Sequence, residues 1–291
     1  MGKMITVLKR NIEYPVYVIV FLVLTLLHNF GIVNSYVMQV LMLACIYIIM
    51  AESLNILNGM TGLSSLGQAG FMSVGAYCSA MLTTNFLNVS GMSPVMQVVV
   101  FLVATLFGAA MSAICGLLIG IPALRLKGDY LAIVTLACGE IIKNIITNLD
   151  ITGGALGLNT GAIYSNAKTL LPYAAVLVLL TVLVMMNLKH SKHGRAIMAI
   201  RDNRIAAESI GINVTYFKLA VFMLSAFFAG AAGTLYGHFF ANVKAASFDY
   251  NMSIEILVIV VLGGMGSVPG SIIAAIVLQL LPELMREFAD Y

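Results

Sequence analysis

The stretch LNGMTGLSSLGQAGFMSVGAY, residues 57–77, is rich in glycine and hydroxyl side chains and carries no charge. It lies within a longer segment, residues 53 to 124, that contains no Asp, Glu, Lys or Arg. Such a connection predicts irregular backbone tucked inside a helical membrane bundle, because non-helical backbone at that depth is tolerated only against protein or a cavity. Close helix packing through small residues explains the same composition, and the two interpretations are compatible.

The composition of the whole chain agrees with a membrane bundle. Of its 291 residues, 61% are hydrophobic and 9% are charged, and the mean hydropathy is +1.01. A soluble domain carries about 25% charged residues, because its surface faces water. The apolar runs are long and continuous, whereas a membrane β-barrel shows short alternating segments. We therefore predict an all-α fold, a polytopic transmembrane helix bundle that forms a single domain over residues 1–291.

The apolar runs define the predicted spans, since a helix needs about 20 residues to cross the hydrocarbon core. Eight segments meet this length: 16–33, 36–57, 62–84, 94–121, 129–149, 169–188, 216–240 and 253–281. The fourth and the last are long enough to contain a tilt or a break, so the prediction covers eight to ten spans.

The basic residues orient the bundle, because cytoplasmic loops of membrane proteins carry an excess of Lys and Arg. With eight alternating spans, one side of the membrane receives most of them: Lys3, Lys9, Arg10, Arg125, Lys127, Lys189, Lys192, Arg195, Arg201 and Arg204. The loops on the other side, 85–93, 150–168 and 241–252, hold only Lys168 and Lys244. We therefore predict a cytoplasmic N-terminus.

A second glycine-rich interruption, VVLGGMGSVPGSIIAA, occupies residues 260–275. Clustered glycines with a proline do not continue a regular helix. Paired interrupted segments in the two halves of a transporter indicate its pathway. The candidate broken-helix or gating residues are Gly59, Gly62, Gly67, Gly263, Gly264, Gly266 and Pro269.

The most charged stretch is HGRAIMAIRDNRIAAESIGI, residues 193–212. As a single helix of about five turns, it places Arg201, Arg204 and Glu208 within an arc of about 60°. Alanines gather on the opposite side, and the helix is too polar to span the membrane. A helix lying on the lipid surface is one interpretation, but alanine offers little apolar area for that. A docking element for a cytoplasmic partner fits better.

The same stretch carries a resemblance to a known family. SKHGRAIMAIRDNRIAAESIGINVTYFKLAVFMLSAFFAGAAGTLYG resembles the cytoplasmic loop and following span of branched-chain amino-acid ABC permeases of the LivM type. Three further blocks are similar to that family: LNILNGMTGLSSLGQAGFMSVGAY, GDYLAIVTLACGEIIKNIITNLDITGGALGLNTG and SIEILVIVVLGGMGSVPG. Together the blocks run, with gaps, from about residue 54 to 270 in the family's order.

The resemblance implies a coupling helix over 194–211, inside a cytoplasmic loop at 189–215, that sits in a groove of an ATP-hydrolysing subunit. ABC importers carry the signature E-A-A-x-x-x-G there, and Ile205 stands in this chain where the glutamate would be. Glu208 is the candidate to replace its ionic role. The implied coupling residues are Gly194, Arg195, Arg201, Arg204, Ala206, Ala207, Glu208 and Gly211.

The resemblance also implies a function and partners. The chain would be the permease subunit of an ATP-driven importer of branched-chain or related amino acids in the inner or plasma membrane of a prokaryote. Its implied partners are two cytoplasmic ATP-binding subunits, a second homologous permease, an extracytoplasmic substrate-binding protein and membrane lipid, with no nucleic acid. Alternative functions are a permease for another small solute such as a simple sugar, and an ATP-independent channel or carrier.

The chain has no phosphate-binding motif G-x-x-x-x-G-K-[ST], so by that route it does not bind ATP. We therefore expect a transport subunit that is not an enzyme, needs no cofactor and holds no metal. The histidine and cysteine spacings give no convincing metal site, and neither HExxH nor GxSxG is present.

Polar residues within the predicted spans are the candidates for the substrate pathway. Glu140 lies near the middle of the fifth span, where a charge costs at least about 2.5–3.5 kcal/mol. Lys143 follows one turn later, so an internal ion pair with a structural role is the alternative. Glu52 and Asn55 are candidates for the cytoplasmic exit, with helix capping or a subunit contact as the alternative. The predicted pathway residues are Asn55, Ser64, Ser65, Gln68, Glu140 and Lys143.

Overall fold

A computed structural model describes residues 35–86, 94–126, 128–160, 167–240 and 242–289. The described chain is almost entirely helical, which confirms the predicted all-α transmembrane bundle. The first predicted span, 16–33, lies outside the described residues.

The helices follow one another with short connections. In the described ranges they are α1 (Ser35–Asn55), α2 (Gln68–Met81), α3 (Pro94–Ala123), α4 (Asp129–Asn148), α5 (Ala167–His190), α6 (Lys192–Asp202), α7 (Arg204–Ser209), α8 (Val214–Phe239), α9 (Tyr250–Gly263) and α10 (Val268–Ala289). A π-helical turn extends α1 over Ile56–Met60, and another extends α2 over Leu82–Phe86. The strands β1 (Leu158–Asn159) and β2 (Asn242–Val243) form one short antiparallel pair.

Six of the described segments are long and apolar enough to cross a membrane. They are Tyr36–Met60, Met96–Ala123, Asp129–Asn148, Thr169–His190, Val214–Phe239 and Ala245–Gly263. The first five match predicted spans to within a few residues. The fourth predicted span, 94–121, is one uninterrupted helix despite its length.

Two predicted spans are shortened or divided in the structure, and glycine explains both differences; a break in the second of them was expected from its length. In the segment 62–84 the helix begins only at Gln68, and the segment 253–281 divides into α9 and α10. The backbone has φ of +68° at Gly62, +87° at Gly264 and +86° at Gly266. Glycine adopts this left-handed region readily, but it cannot continue a right-handed α-helix there. The two glycine-rich stretches are therefore the predicted breaks, and the second one separates two packed helices.

Small residues hold the bundle together around these breaks. A Cβ atom on Gly70 would lie 2.7 Å from Cα of Gly139, and one on Gly67 would lie 2.6 Å from the carbonyl oxygen of Thr135. A Cβ on Gly75 would overlap the backbone of Gly230. Because these positions have no side chain, α2 approaches α4 on one side and α8 on the other at backbone distance. Close packing and an internal break therefore occur in one segment.

Candidate functional site

The loop at 189–215 contains two helices, α6 and α7, where we predicted one helix over 194–211. The division falls at Asn203, whose backbone is extended with φ −155° and ψ 106°. Its side-chain oxygen accepts a hydrogen bond from the backbone N–H of Ala206 at 3.1 Å. Asparagine favours such an N-cap over a helix interior, which explains the break.

The break sends two of the predicted coupling arginines in different directions. Arg201 Nη1 donates a 2.7 Å hydrogen bond to the carbonyl oxygen of Gly59, in the membrane bundle. Arg204 Nε instead donates to Glu208 Oε1 at 2.9 Å, within an exposed ion pair on α7. We predicted that Arg201, Arg204 and Glu208 share one face of a single helix. This prediction is wrong for Arg201, because the helix is interrupted at Asn203.

The two adjacent alanines of α7 also separate. Ala207 is 2% exposed and packs with Ile200 and Val214 in a small core under the loop. Its predicted place on a docking surface is corrected, since it is already covered by its own chain. Ala206 is exposed, and Ile205 and Ile210 are exposed to 80% and 74%.

We define the α7 surface by the exposed residues Arg204, Ile205, Ala206, Glu208 and Ile210. Two large apolar side chains with an ion pair at their edge are typical of a protein contact. The α7 surface is therefore an exposed patch of the loop that carries two large apolar side chains.

The remaining predicted coupling residues shape the loop. Gly194 lies where a Cβ would overlap the carbonyl oxygen of Leu188, so α6 begins tightly against the end of α5. Arg195 is exposed and donates to the carbonyl oxygen of His190 at 3.1 Å. Gly211 has φ +87° and open space around it, which lets the chain turn towards α8.

The two glycine breaks meet each other at Gly59 and Gly266, a contact that we call the glycine junction. A Cβ on Gly59 would lie 2.6 Å from Cα of Gly266. The side-chain oxygen of Asn55 accepts a 2.7 Å hydrogen bond from the backbone N–H of Gly266. Of the predicted gating residues, Gly59 and Gly266 thus meet, whereas Gly67 packs against Thr135 of α4. In the second break, Gly263 approaches Gly270 at backbone distance, which closes the turn between α9 and α10.

Two basic side chains of the 189–215 loop bind the backbone of the glycine junction. Arg201 binds the carbonyl oxygen of Gly59, and Lys189 Nζ donates to the carbonyl oxygen of Gly266 at 2.7 Å. Lys189 was not among the predicted site residues. In sequence it is one of many basic residues at the end of a span, so only its position against Gly266 distinguishes it.

The predicted pathway residues do not form one cluster. Asn55 belongs to the glycine junction, whereas Gln68 is buried and donates from Nε2 to Ser225 Oγ at 2.7 Å. Ser65 is buried beside Asn58, and Ser64 is exposed. The pathway candidates therefore lie along the first break, apart from the charged pair on α4.

Glu140 and Lys143 form an ion pair of 2.8 Å on α4, with both side chains partly exposed. Glu140 also lines a cavity of about 10 Å³ with Asp249 and Tyr250, where α4 meets the beginnings of α2 and α9. The backbone N–H of Ala69 donates to Ser253 Oγ at 3.1 Å across this meeting point. Two helices thus begin beside a pair of charges within the bundle.

The adjoining face of α4 is open and mixed in character. Asn144 and Asn148 are exposed there, beside Ile141, Ile145 and Leu149, around a depression of about 410 Å³. Amide and charged groups inside a span are costly against lipid. This face of α4 therefore requires protein or water against it.

Comparison with known proteins gives a consistent result. Residues 36–291 match the family model described as branched-chain amino acid transport system / permease component. The high-affinity branched-chain amino acid transport system permease protein LivM of Salmonella typhimurium is 37% identical over 84% of this chain and 63% of its own length. LivM of Escherichia coli is 35% identical over 97% of this chain and 71% of its own.

The permease protein LivH of Escherichia coli is 29% identical over 39% of this chain and 38% of its own length. The chain thus spans less than two thirds of the Salmonella LivM and somewhat more of the Escherichia coli protein. No solved structure matches the chain.

Proposed function

Because this chain belongs to the family of permease components of branched-chain amino acid transport systems, we propose that it is the membrane subunit of an ATP-driven importer for branched-chain or related amino acids. The observation that carries this proposal is the cytoplasmic loop. It offers the α7 surface to a partner and, through Arg201 on the neighbouring α6, holds a glycine break of the bundle. A loop with these two contacts would transmit movement of a cytoplasmic ATPase to the membrane-embedded helices.

The proposed complex contains two ATP-binding subunits, which hydrolyse ATP, and a second permease. One chain supplies one coupling loop, so a dimer of ATPase subunits requires a second. The likeness to both LivM and LivH supports a pair of different permeases. An extracytoplasmic binding protein delivers the amino acid. The complex lies in the inner or plasma membrane of a prokaryote, with the N-terminus in the cytoplasm.

The mechanism follows from the position of the loop. Closure of the ATPase dimer moves the α7 surface, and α6 moves with it because the two helices share the small core around Ala207. Arg201 then displaces Gly59, at the first break. Since Gly59 lies against Gly266, the second break moves as well. The glycine junction is thus the proposed gate on the cytoplasmic side.

The substrate is zwitterionic, and α4 offers both charges it requires. In the proposed pathway Glu140 faces the substrate's ammonium group and Lys143 its carboxylate, while the second permease covers the open face of α4. Asn55, Ser64, Ser65 and Gln68 are proposed for the inner part of the pathway, and of these Ser64 is exposed in this conformation.

The proposed function is tested by co-expression with the ATPase subunits, second permease and binding protein of a branched-chain amino acid transport system from the same genome. We expect one complex to co-purify and, in vesicles, to take up labelled leucine only with ATP and binding protein. Uptake without ATP would support a channel or carrier instead. Uptake of a simple sugar in preference to leucine would overturn the substrate assignment.

Glu140→Gln is expected to lower leucine uptake about tenfold, since a hydrogen bond to a charged group contributes about 1.5–3 kcal/mol. Assembly with the ATPase should be unchanged, because Glu140 lies away from the cytoplasmic loop. Asp150→Asn is the matched control, since Asp150 is an exposed acid just beyond the same helix. Equal uptake by both variants at equal expression would reduce the Glu140–Lys143 pair to a structural role.

A further inference from the structure

The carboxylate of Glu52, on α1, is buried and lacks a hydrogen-bond partner in this conformation. Glu52 is 1% exposed, and neither of its carboxylate oxygens makes a well-formed hydrogen bond. Among the described residues, the only other buried side-chain atom in this condition is Oε1 of Gln68. An unpaired carboxylate in an apolar interior is costly, and a nearby positive charge offsets that cost. Glu52 is therefore a candidate acceptor for a positively charged side chain that comes within reach.

A small cavity connects Glu52 to the glycine junction. Its polar lining comes from Glu52, Asn55, Lys189 and Gly266, and apolar side chains form the rest. Its volume of about 10 Å³ admits about one water molecule, so an amino acid does not fit. The cavity has room for the head group of a neighbouring side chain to shift, and Lys189 is the basic residue at its edge.

Lys189 thus has two acceptors beside one cavity. Its ammonium group donates to the carbonyl oxygen of Gly266, and its charge also acts on Glu52 without forming an ion pair in this conformation. A lysine has a flexible four-carbon stem and three rotatable donors, which suits it to exchange between two acceptors that line one cavity.

We propose that Gly266 and Glu52 are alternative acceptors for the Lys189 ammonium group, and that its exchange between them couples the cytoplasmic loop to the second glycine break. With Lys189 on Gly266, as in this conformation, the turn between α9 and α10 is held. With Lys189 on Glu52, the carbonyl oxygen of Gly266 is released and that turn is free to shift. This inference rests on the proposed function, since it assigns Lys189 and Glu52 as positioning residues for transport.

The position of Lys189 in the chain explains how the exchange is driven. It lies in the last turn of α5, two residues before Ser191, whose side chain caps α6 through the N–H of Gly194. Gly194 also packs against the carbonyl oxygen of Leu188. A displacement of α6 by the ATPase therefore reaches Lys189 directly. Arg201 controls the first break and Lys189 the second.

The test is a double-mutant cycle in the reconstituted complex with all its partner subunits. Glu52→Gln and Lys189→Met should each lower leucine uptake per ATP hydrolysed about tenfold, a size common for contacting residues. The double variant should be no worse than Lys189→Met alone, because Lys189→Met already removes both of the contacts between which Lys189 is proposed to exchange. Lys192→Met, an exposed lysine of the same loop, is the matched control and should resemble the wild type. Multiplied losses in the double variant would overturn the proposal.

A second measurement separates exchange from a static structural role. The melting temperature of the complex is measured in two states, one without nucleotide and one with ATP bound but not hydrolysed. Glu52→Gln should lower the melting temperature in one of these states only, because Glu52 binds Lys189 in one of them. Equal lowering in both states would overturn the proposal. If Glu52→Gln does not accumulate in the membrane, two variants of Lys189 replace it in the test. Lys189→Arg should retain the uptake that Lys189→Met loses. Equal loss of uptake in both variants would overturn the proposal.

Failure of this inference is distinguishable from failure of the proposed function. If the wild-type complex couples ATP to uptake and the variants match Lys192→Met, only the exchange is wrong. If the wild-type chain binds no ATPase subunit, the proposed function fails and the exchange fails with it.

Discussion

Gly59→Ala is expected to abolish leucine uptake, although it adds a single methyl group. The new Cβ would lie 2.5 Å from the side-chain oxygen of Asn55 and 2.6 Å from Cα of Gly266, and it would overlap the nitrogen of Gly266. These are mostly backbone atoms, so the two breaks must separate. Overpacking of this kind costs about 1–3 kcal/mol or more. Separation also breaks the hydrogen bonds that Gly266 makes with Asn55 and Lys189.

Gly139→Ala is the matched control for this substitution. Its Cβ would meet its nearest neighbours, Gly67 and Gly70, at 3.7 to 3.8 Å, which is ordinary contact. The measurement is uptake in vesicles at equal amounts of assembled complex. If Gly59→Ala transports as well as Gly139→Ala, the glycine junction does not act as a gate.

Ile205→Asp is expected to prevent binding of the ATPase subunits. Ile205 is 80% exposed at the centre of the α7 surface, so its own chain does not need it for folding. A central apolar residue of an interface contributes about 2 kcal/mol or more, and a carboxylate in its place must be desolvated. We therefore expect loss of ATPase from the purified complex, with normal amounts of the chain in the membrane.

Leu156→Asp makes the same change at a residue exposed to 84%, in the loop after α4. In the proposed topology that loop lies on the other side of the membrane, so ATPase capture should be unaffected. If Ile205→Asp captures the ATPase as efficiently as Leu156→Asp does, the α7 surface is not part of the coupling contact.

The breaks in the bundle were predictable because glycine determines local backbone geometry. Gly62, Gly264 and Gly266 adopt left-handed backbone conformations. Clustered glycines in the sequence predict such breaks. The number of helices in residues 253–281 was harder to predict. An apolar segment of that length suits one tilted helix or two packed ones, and the choice depends on how Gly263 approaches Gly270.

The site was less predictable because its contacts join distant parts of the chain. The prediction of one continuous helix over residues 194–211 was wrong at Asn203, because this residue caps α7 in an extended conformation. With the helix divided, Ala207 turned inwards and Arg201 reached Gly59. Glu52 and Lys189 had no shared local signal, since they are far apart in sequence and only the packing of α1 against α5 brings them to one cavity.

The glycine junction also restricts how this protein can change over evolutionary time. In most cores, a larger residue on one helix is accommodated by a smaller one opposite. At positions 59 and 266 both partners are already the smallest amino acid, so neither can shrink to make room for the other. An enlargement at Gly59 can be tolerated only if the backbone of a whole segment moves, and one at Gly266 is disfavoured by its φ of +86°. Glycine is therefore required on both sides of this contact, although the two positions are more than half the chain apart.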